Sequence, residues 1–206
     1  MSKLRGKRAI VTGAANGIGH SIANTFVKNG AAVLAVDLSG EDLDQRFADV
    51  DDVSTLVADV TDDDAPSAIV STASERLGGI DILVNNAGIV VAGQFEELTD
   101  EQFDTIMGVN VRAMFRLSRE AVPHIRESGR GRIINLGSIM SDLAGPTLSI
   151  YGTSKHAVAG LTKGMAVDLG PYGITVNYLQ PGSIVTKMSE PFMDDPDFKK
   201  YWEDKA

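Results

Sequence analysis

The sequence predicts a doubly wound α/β domain built on a parallel sheet. Three observations lead there. Short apolar runs alternate with longer helical patterns in repeated β-α-β order. The runs are nearly continuous in Val, Ile, Leu and Ala, which suits strands covered on both faces. The first run leads into a glycine-rich turn that opens a helix. A chain of 206 residues has room for one such domain spanning 1–206.

Taken in order, the strands are expected at 8–12, 32–37, 55–59, 81–85, 132–137 and 175–179. The helices are expected at 17–29, 63–77, 100–128 and 151–169. Thr61 or Asp62 is placed to cap the second helix, and Thr99 or Asp100 the third, with Gln102 near for a capping box. Gly30, Gly78 and Gly170 stand where helices should stop. After the last strand comes a polar, acidic stretch with apolar anchors at Met188, Phe192, Met193, Phe198, Tyr201 and Trp202, and no further strand is read there. No internal repeat or low-complexity linker interrupts the chain.

Composition narrows the function. With 19 basic against 28 acidic residues the net charge is −9, which repels phosphate backbones and anionic membranes, so neither nucleic acid nor a membrane is expected as a partner. The absence of cysteine excludes disulfides and thiolate chemistry and fits a cytoplasmic setting. The first residues are polar and basic and read as no signal peptide, and no apolar run reaches the length of a membrane helix. His20, His124 and His156 lack metal-ligand spacing, and no metal is expected. The acidic residues Asp49, Asp51, Asp52, Asp62, Asp63 and Asp64 read as solvated surface, since they lack the glycine and glutamate of a calcium loop.

The glycine turn is Thr12-Gly13-Ala14-Ala15-Asn16-Gly17-Ile18-Gly19. Glycines there let backbone N–H groups approach a pyrophosphate, and the helix N-terminus favours its charge. A plain structural turn is the alternative, and the strand–turn–helix context weighs against it. Asp37 ends the second strand, where a carboxylate can accept hydrogen bonds from ribose hydroxyls and would repel a 2′-phosphate. Leu38 follows it, no arginine lies in the turn, and NAD is therefore expected over NADP. The segment Tyr151-Gly-Thr-Ser-Lys155 puts a phenol and an ammonium four residues apart, on one helix face. A nearby cation favours the phenolate, so the lysine can tune the tyrosine as an acid–base. Alone, such a pair is common on surfaces. Ser138 stands at the carboxyl edge of the sheet, where a hydroxyl can hold a carbonyl oxygen.

With these motifs in place, the chain resembles the short-chain dehydrogenase/reductase family along almost its whole length. The matching pieces are Thr12 to Gly19, Asp37, Asp59-Val60, Asn85-Asn86-Ala87-Gly88, Asn110, Ser138, Tyr151 with Lys155, and Pro181-Gly182 with Thr186, in the family's order and spacing. The resemblance implies a Rossmann-type fold, here without the last helix and strand with which relatives usually continue. It implies that Asn110, Ser138, Tyr151 and Lys155 are the catalytic four. Tyr151 would be the general acid–base, Ser138 would polarise the substrate oxygen, Lys155 would lower the tyrosine pKa and bind the nicotinamide ribose, and Asn110 would hold a water linking Lys155 to solvent. It further implies cofactor contacts from Gly13, Asn16, Gly17, Ile18, Gly19, Asp37 and Leu38. Asp59 and Val60 would meet the adenine, Asn86, Ala87 and Gly88 the adenosine ribose, and Pro181, Gly182, Ile184 and Thr186 the nicotinamide. Homodimers or homotetramers would pair through the helices 100–128 and 151–169.

The resulting expectation is an NAD-dependent oxidoreductase interconverting a secondary alcohol and a ketone. The candidate substrate wall is Met140, Ala144, Leu148, Ser183, Met188, Phe192 and Met193, joined by Ser138 and Tyr151, and its apolar content points to a nonpolar substrate body. Two alternatives stay open: an NADPH-dependent reductase of 3-oxoacyl groups on a carrier protein, docked through Arg126, Arg130 and Arg132, and a catalytically inactive nucleotide-binding fragment.

Overall fold

The computed structural model describes residues 2–190 and residue 200. Six strands form one parallel sheet: β1 (Arg8–Thr12), β2 (Ala32–Asp37), β3 (Val53–Val57), β4 (Ile82–Asn85), β5 (Arg132–Leu136) and β6 (Thr175–Leu179). Their order across the sheet is β3-β2-β1-β4-β5-β6. The chain thus winds outward through β2 and β3, then returns to the other side of β1. The connections leaving the carboxyl ends of β1 and β4 run to opposite faces of the sheet, leaving the crevice in which sheets of this kind bind ligands.

The helices are α1 (Gly17–Lys28), α2 (Gly40–Phe47), α3 (Ala65–Leu77), α4 (Asp100–Met107), α5 (Met114–Glu127) and α6 (Ser149–Leu169). Because side chains alternate along a strand, β1 feeds both faces of the sheet. Ile10 joins Ile69 and Val70 of α3 and Leu117 and Ile125 of α5 in one core. Ala9 and Val11 join Ala23 of α1 and Leu43 and Phe47 of α2 in the other. Burial on both faces is the physical reason the strand sequences carry no polar alternation.

Several elements differ from expectation. The third strand lies two residues earlier, at Val53–Val57, so Asp59 and Val60 fall in the turn beyond it. There the Asp59 carboxylate accepts both the backbone N–H and the hydroxyl of Thr61, at 2.8 and 2.7 Å, and this turn stands where Thr61 or Asp62 was expected to cap a helix. The cap of α3 is Asp64 instead, with a proline in the first turn. Helix α2 has no counterpart among the expected helices. Its signals are Ser39, whose side chain accepts the Asp42 N–H, two acidic residues in the first turn, and Leu43 and Phe47 buried four apart. The expected helix 100–128 is two α-helical segments joined by a wider π-helical turn, Gly108–Ala113. Its capping box, Thr99 with Gln102, is present. Gly78 ends α3 in the left-handed conformation, whereas after α6 that conformation falls on Gly173 rather than Gly170.

Candidate active site

The carboxyl edge of the sheet opens into a cleft of about 470 Å³. That volume lies in the range of small-molecule and cofactor sites. One wall is the glycine turn between β1 and α1. Asn86, just past β4, donates its side-chain N–H groups to the carbonyls of Thr12 and Gly13, both at 2.9 Å. The Thr12 hydroxyl accepts the backbone N–H groups of Asn86 and Ala87 at 3.0 and 3.1 Å. These bonds join the ends of β1 and β4 at the switch point. Gly19 packs behind the turn, where a Cβ would overlap the Gly13 carbonyl oxygen. The side chain at the N-cap of α1, Asn16, makes no capping bond, and no acidic residue occupies the first turn. The helix N-terminus therefore keeps its donors and positive potential for an anion.

Asp37 ends β2 at this wall. Its carboxylate accepts the backbone N–H of Ala15 at 2.9 Å and of Leu38 at 2.8 Å, so the glycine turn and the acid are held together. Asn16 instead donates to Asp42 of α2 at 3.0 Å, and Lys187 approaches the same carboxylate oxygen at 3.3 Å. These partners hold the Asp42 carboxyl below its usual pKa, Asn16 having the larger effect.

The opposite wall carries the reactive groups. Ser138 follows β5, and its hydroxyl accepts the Met140 N–H at 3.2 Å. Tyr151 and Lys155 rise from the first turns of α6, with Lys155 Nζ 5.6 Å from the Tyr151 ring centroid. Lys155 is only 7% exposed and donates to the Leu136 carbonyl at 2.8 Å. Burial pushes its pKa down to about 8. Burial also pushes the Tyr151 phenol up, while its hydrogen bond with Ser138 pulls it down.

Asn110 does not line the cleft. It stands on the π-helical turn, 1% exposed, and exchanges two hydrogen bonds with the Ile89 backbone, at 2.8 and 3.0 Å. Its amide also donates to Ser154 at 3.0 Å, which ties the turn to α6. A π-helical turn re-aims a side chain from the regular helical direction, a recurrent feature of functional sites.

The segment after β6 closes the cleft. The Pro181 carbonyl accepts the Ile139 N–H at 3.0 Å, and the Thr186 methyl lies 3.1 Å from where a Cβ on Gly17 would stand.

Gly13, Asn16, Gly17, Ile18, Asp37, Leu38, Asp59, Val60, Asn86, Ala87, Gly88, Pro181, Gly182, Ile184 and Thr186 all line this one cleft, as do Ser138, Tyr151 and Lys155. Of the expected substrate wall, Met140, Leu148, Ser183 and Met188 line it and Ala144 does not, while Phe192 and Met193 fall outside the described residues. Sequence reasoning missed Lys187, which also lines the cleft, and its partner Asp42 on α2. No local signal marks a pair 145 residues apart. Among the described residues, no group of acidic, histidine or cysteine side chains could hold a metal, and no helix is long and apolar enough to cross a membrane. The uncapped helix end, the glycine cradle and Asp37 fit a dinucleotide.

Comparison with known proteins agrees with this geometry. A family model described as short chain dehydrogenase matches residues 7–197. The chain is 40% identical over 199 residues to gluconate 5-dehydrogenase of Gluconobacter oxydans, covering 95% of this chain and 78% of that protein. Its structure superposes with a TM-score of 0.91 on 3-ketoacyl-(acyl-carrier-protein) reductase from Brucella melitensis complexed with NADH, at 34% identity, covering 96% of this chain and 83% of the other. A gluconate 5-dehydrogenase from Burkholderia cenocepacia in complex with NADP and tartrate superposes with a TM-score of 0.89 at 36% identity, covering 96% and 79%.

Proposed function

The chain belongs to the short-chain dehydrogenase family, and from that premise we propose that it is an NAD-dependent enzyme interconverting a secondary alcohol and its ketone, with Tyr151 as the general acid–base. That it is an oxidoreductase acting on CH–OH groups with a nicotinamide dinucleotide follows from the family itself. The observation that carries the finer reading is the convergence of Ser138, Tyr151 and Lys155 on one cleft whose far wall ends in Asp37.

The nicotinamide, when bound, supplies the two-electron oxidation or reduction of the substrate carbon. The chain's residues handle the proton and the position. The Ser138 hydroxyl accepts from the Met140 N–H, so the one proton it shares with the Tyr151 phenol in the free protein is the proton it turns to a substrate oxygen. Tyr151 gives that oxygen a proton in reduction and removes it in oxidation. Lys155 turns from the Leu136 carbonyl to the cofactor ribose and favours the phenolate by its charge. Asn110, beside Gly88 and Lys155, holds the water that passes the proton to solvent.

Asp37 supports NAD. Its carboxylate suits a ribose diol and repels a 2′-phosphate, and Lys187, which lines the cleft, is paired with Asp42. Ile139, Met140, Leu148, Ile184 and Met188 support a substrate with a nonpolar body. A cytoplasmic location and a homodimer or homotetramer complete the proposal.

Calorimetric titration with NADH and, separately, NADPH tests it. Tight NADH binding and much weaker NADPH binding is the expected outcome, with ketone reduction lost at least ~100-fold in Tyr151→Phe. The reverse preference would overturn the NAD assignment and favour the carrier-protein reductase. Binding of neither would leave the inactive fragment.

A further inference from the structure

Ser141 is one of the most deeply buried polar residues of the chain, at 2% exposure, and neither the glycine motif nor the Tyr151–Lys155 pair accounts for it. It closes the short turn that begins at Ser138. Its hydroxyl oxygen accepts the backbone N–H of Ser138 at 3.3 Å. Its proton is donated to the backbone carbonyl of Lys155 at 2.9 Å, across to α6. A carbonyl has two lone pairs, so this bond does not compete with the helix's own ladder. One buried hydroxyl thus joins the backbones of two of the reactive residues, in opposite donor and acceptor senses. Gly137 makes the reach possible, because a Cβ there would stand 2.8 Å from the Ser141 hydroxyl oxygen and 3.0 Å from the Leu179 carbonyl.

A second link joins the same elements, from Lys155 Nζ to the Leu136 carbonyl. On the function proposed above, that ammonium must turn toward the cofactor. The Ser141 bridge uses only backbone atoms of its partners, so it persists while the side chains work.

We propose that Ser141 is a positioning residue that holds the Ser138 hydroxyl in register with the Tyr151–Lys155 face of α6. It touches no substrate and acts through the backbones of Ser138 and Lys155. A shift of the Ser138 hydroxyl weakens both its hold on the substrate oxygen and its hydrogen bond to the Tyr151 phenol.

The test compares wild type, Ser141→Ala and Ser141→Cys in NADH-driven reduction of ethyl acetoacetate. In Ser141→Ala, kcat is expected to fall about tenfold, with the KM for NADH within about twofold, since misplacement of reacting groups acts on the chemical step. Ser141→Cys, which keeps a weak donor and acceptor, recovers part of the loss. An unchanged kcat, or an equal loss in NADH binding, overturns the proposal. Failure of wild type to reduce this ketone counts against the substrate reading alone. The bridge is then judged on the Tyr151 phenol, followed by absorbance against matched Tyr151→Phe proteins. Loss of the Ser138 hydrogen bond raises its midpoint in Ser141→Ala, and an unmoved midpoint overturns the proposal. Should Ser141→Ala lose its cooperative thermal transition, Ser141→Cys carries the same two comparisons.

Discussion

Burial drives Tyr151 and Lys155 toward their neutral forms, raising the phenol and lowering the ammonium to about 8. The spacing of the pair predicts a phenol lowered by its neighbouring cation. In the folded chain burial is the larger influence on Tyr151, and the group that offsets it is Ser138. The lysine also sets a pH dependence of stability. Below pH 8 it is charged in both folded and unfolded chains, and the full cost of burying that charge weighs on the fold. Between about 8 and its usual 10.5 the unfolded chain binds more protons than the folded one, so stability rises with pH through that window. Lys155→Met removes the effect. Urea unfolding at pH 7 and pH 10 should show wild type gaining on the variant by up to about 3 kcal/mol as pH rises. A constant difference would mean that the ammonium is solvated in the free protein.

At the scale of elements, the site depends on how α1 meets β1. Gly19 is an ordinary helical position, yet a Cβ there would overlap the Gly13 carbonyl, a backbone atom that cannot swing aside. Gly19→Ala is therefore expected to cost at least ~1–3 kcal/mol, as overpacking against backbone does, and to abolish NADH binding. Chemical denaturation and NADH fluorescence check both, and an alanine variant binding normally would show that α1 can move off the turn. The segment 100–128 teaches a different lesson. Its apolar spacing reads as one helix, but Gly108–Ala113 widens to π geometry, and Asn110 sits on the widened turn. Hydrophobic periodicity averages over several turns and does not resolve one inserted residue. Helix α2 was legible in principle from Ser39 and the Leu43–Phe47 pair, but at 8 residues it is too short to register against the adjoining strands.

At the scale of the whole molecule, a chain of buried polar groups crosses the sheet. Asn85 on β4 donates to Ser118 on α5 at 3.0 Å and to Asn135 on β5 at 2.9 Å, and Asn135 donates to Thr162 on α6 at 2.9 Å. It fixes α5 and α6 relative to each other beneath the reactive groups. Helices α4, α5 and α6 also leave apolar side chains uncovered: Phe103 on α4 is 41% exposed, Phe115 on α5 45% and Val167 on α6 76%. Exposed apolar groups on neighbouring helices are a means of self-association. Light scattering is expected to give the mass of two or four chains, and Phe115→Glu to lower it. A wild-type monomer would overturn that expectation.

The α/β class, the strand–turn–helix at Thr12 to Gly19, the acid at the end of β2 and the Tyr151–Lys155 pair are all legible along the chain. Each rests on a local spacing or an apolar run, and local patterns are written contiguously along the chain. Folding in three dimensions is what lets Asn86 lock the glycine turn, turns Asn110 to Ile89 and Ser154 rather than to the cleft, brings Lys187 to Asp42, and joins Ser138 to Lys155 through Ser141. These partners come from different strands and helices, and their meeting is set by strand order and helix packing. No period or motif within a single segment encodes that geometry.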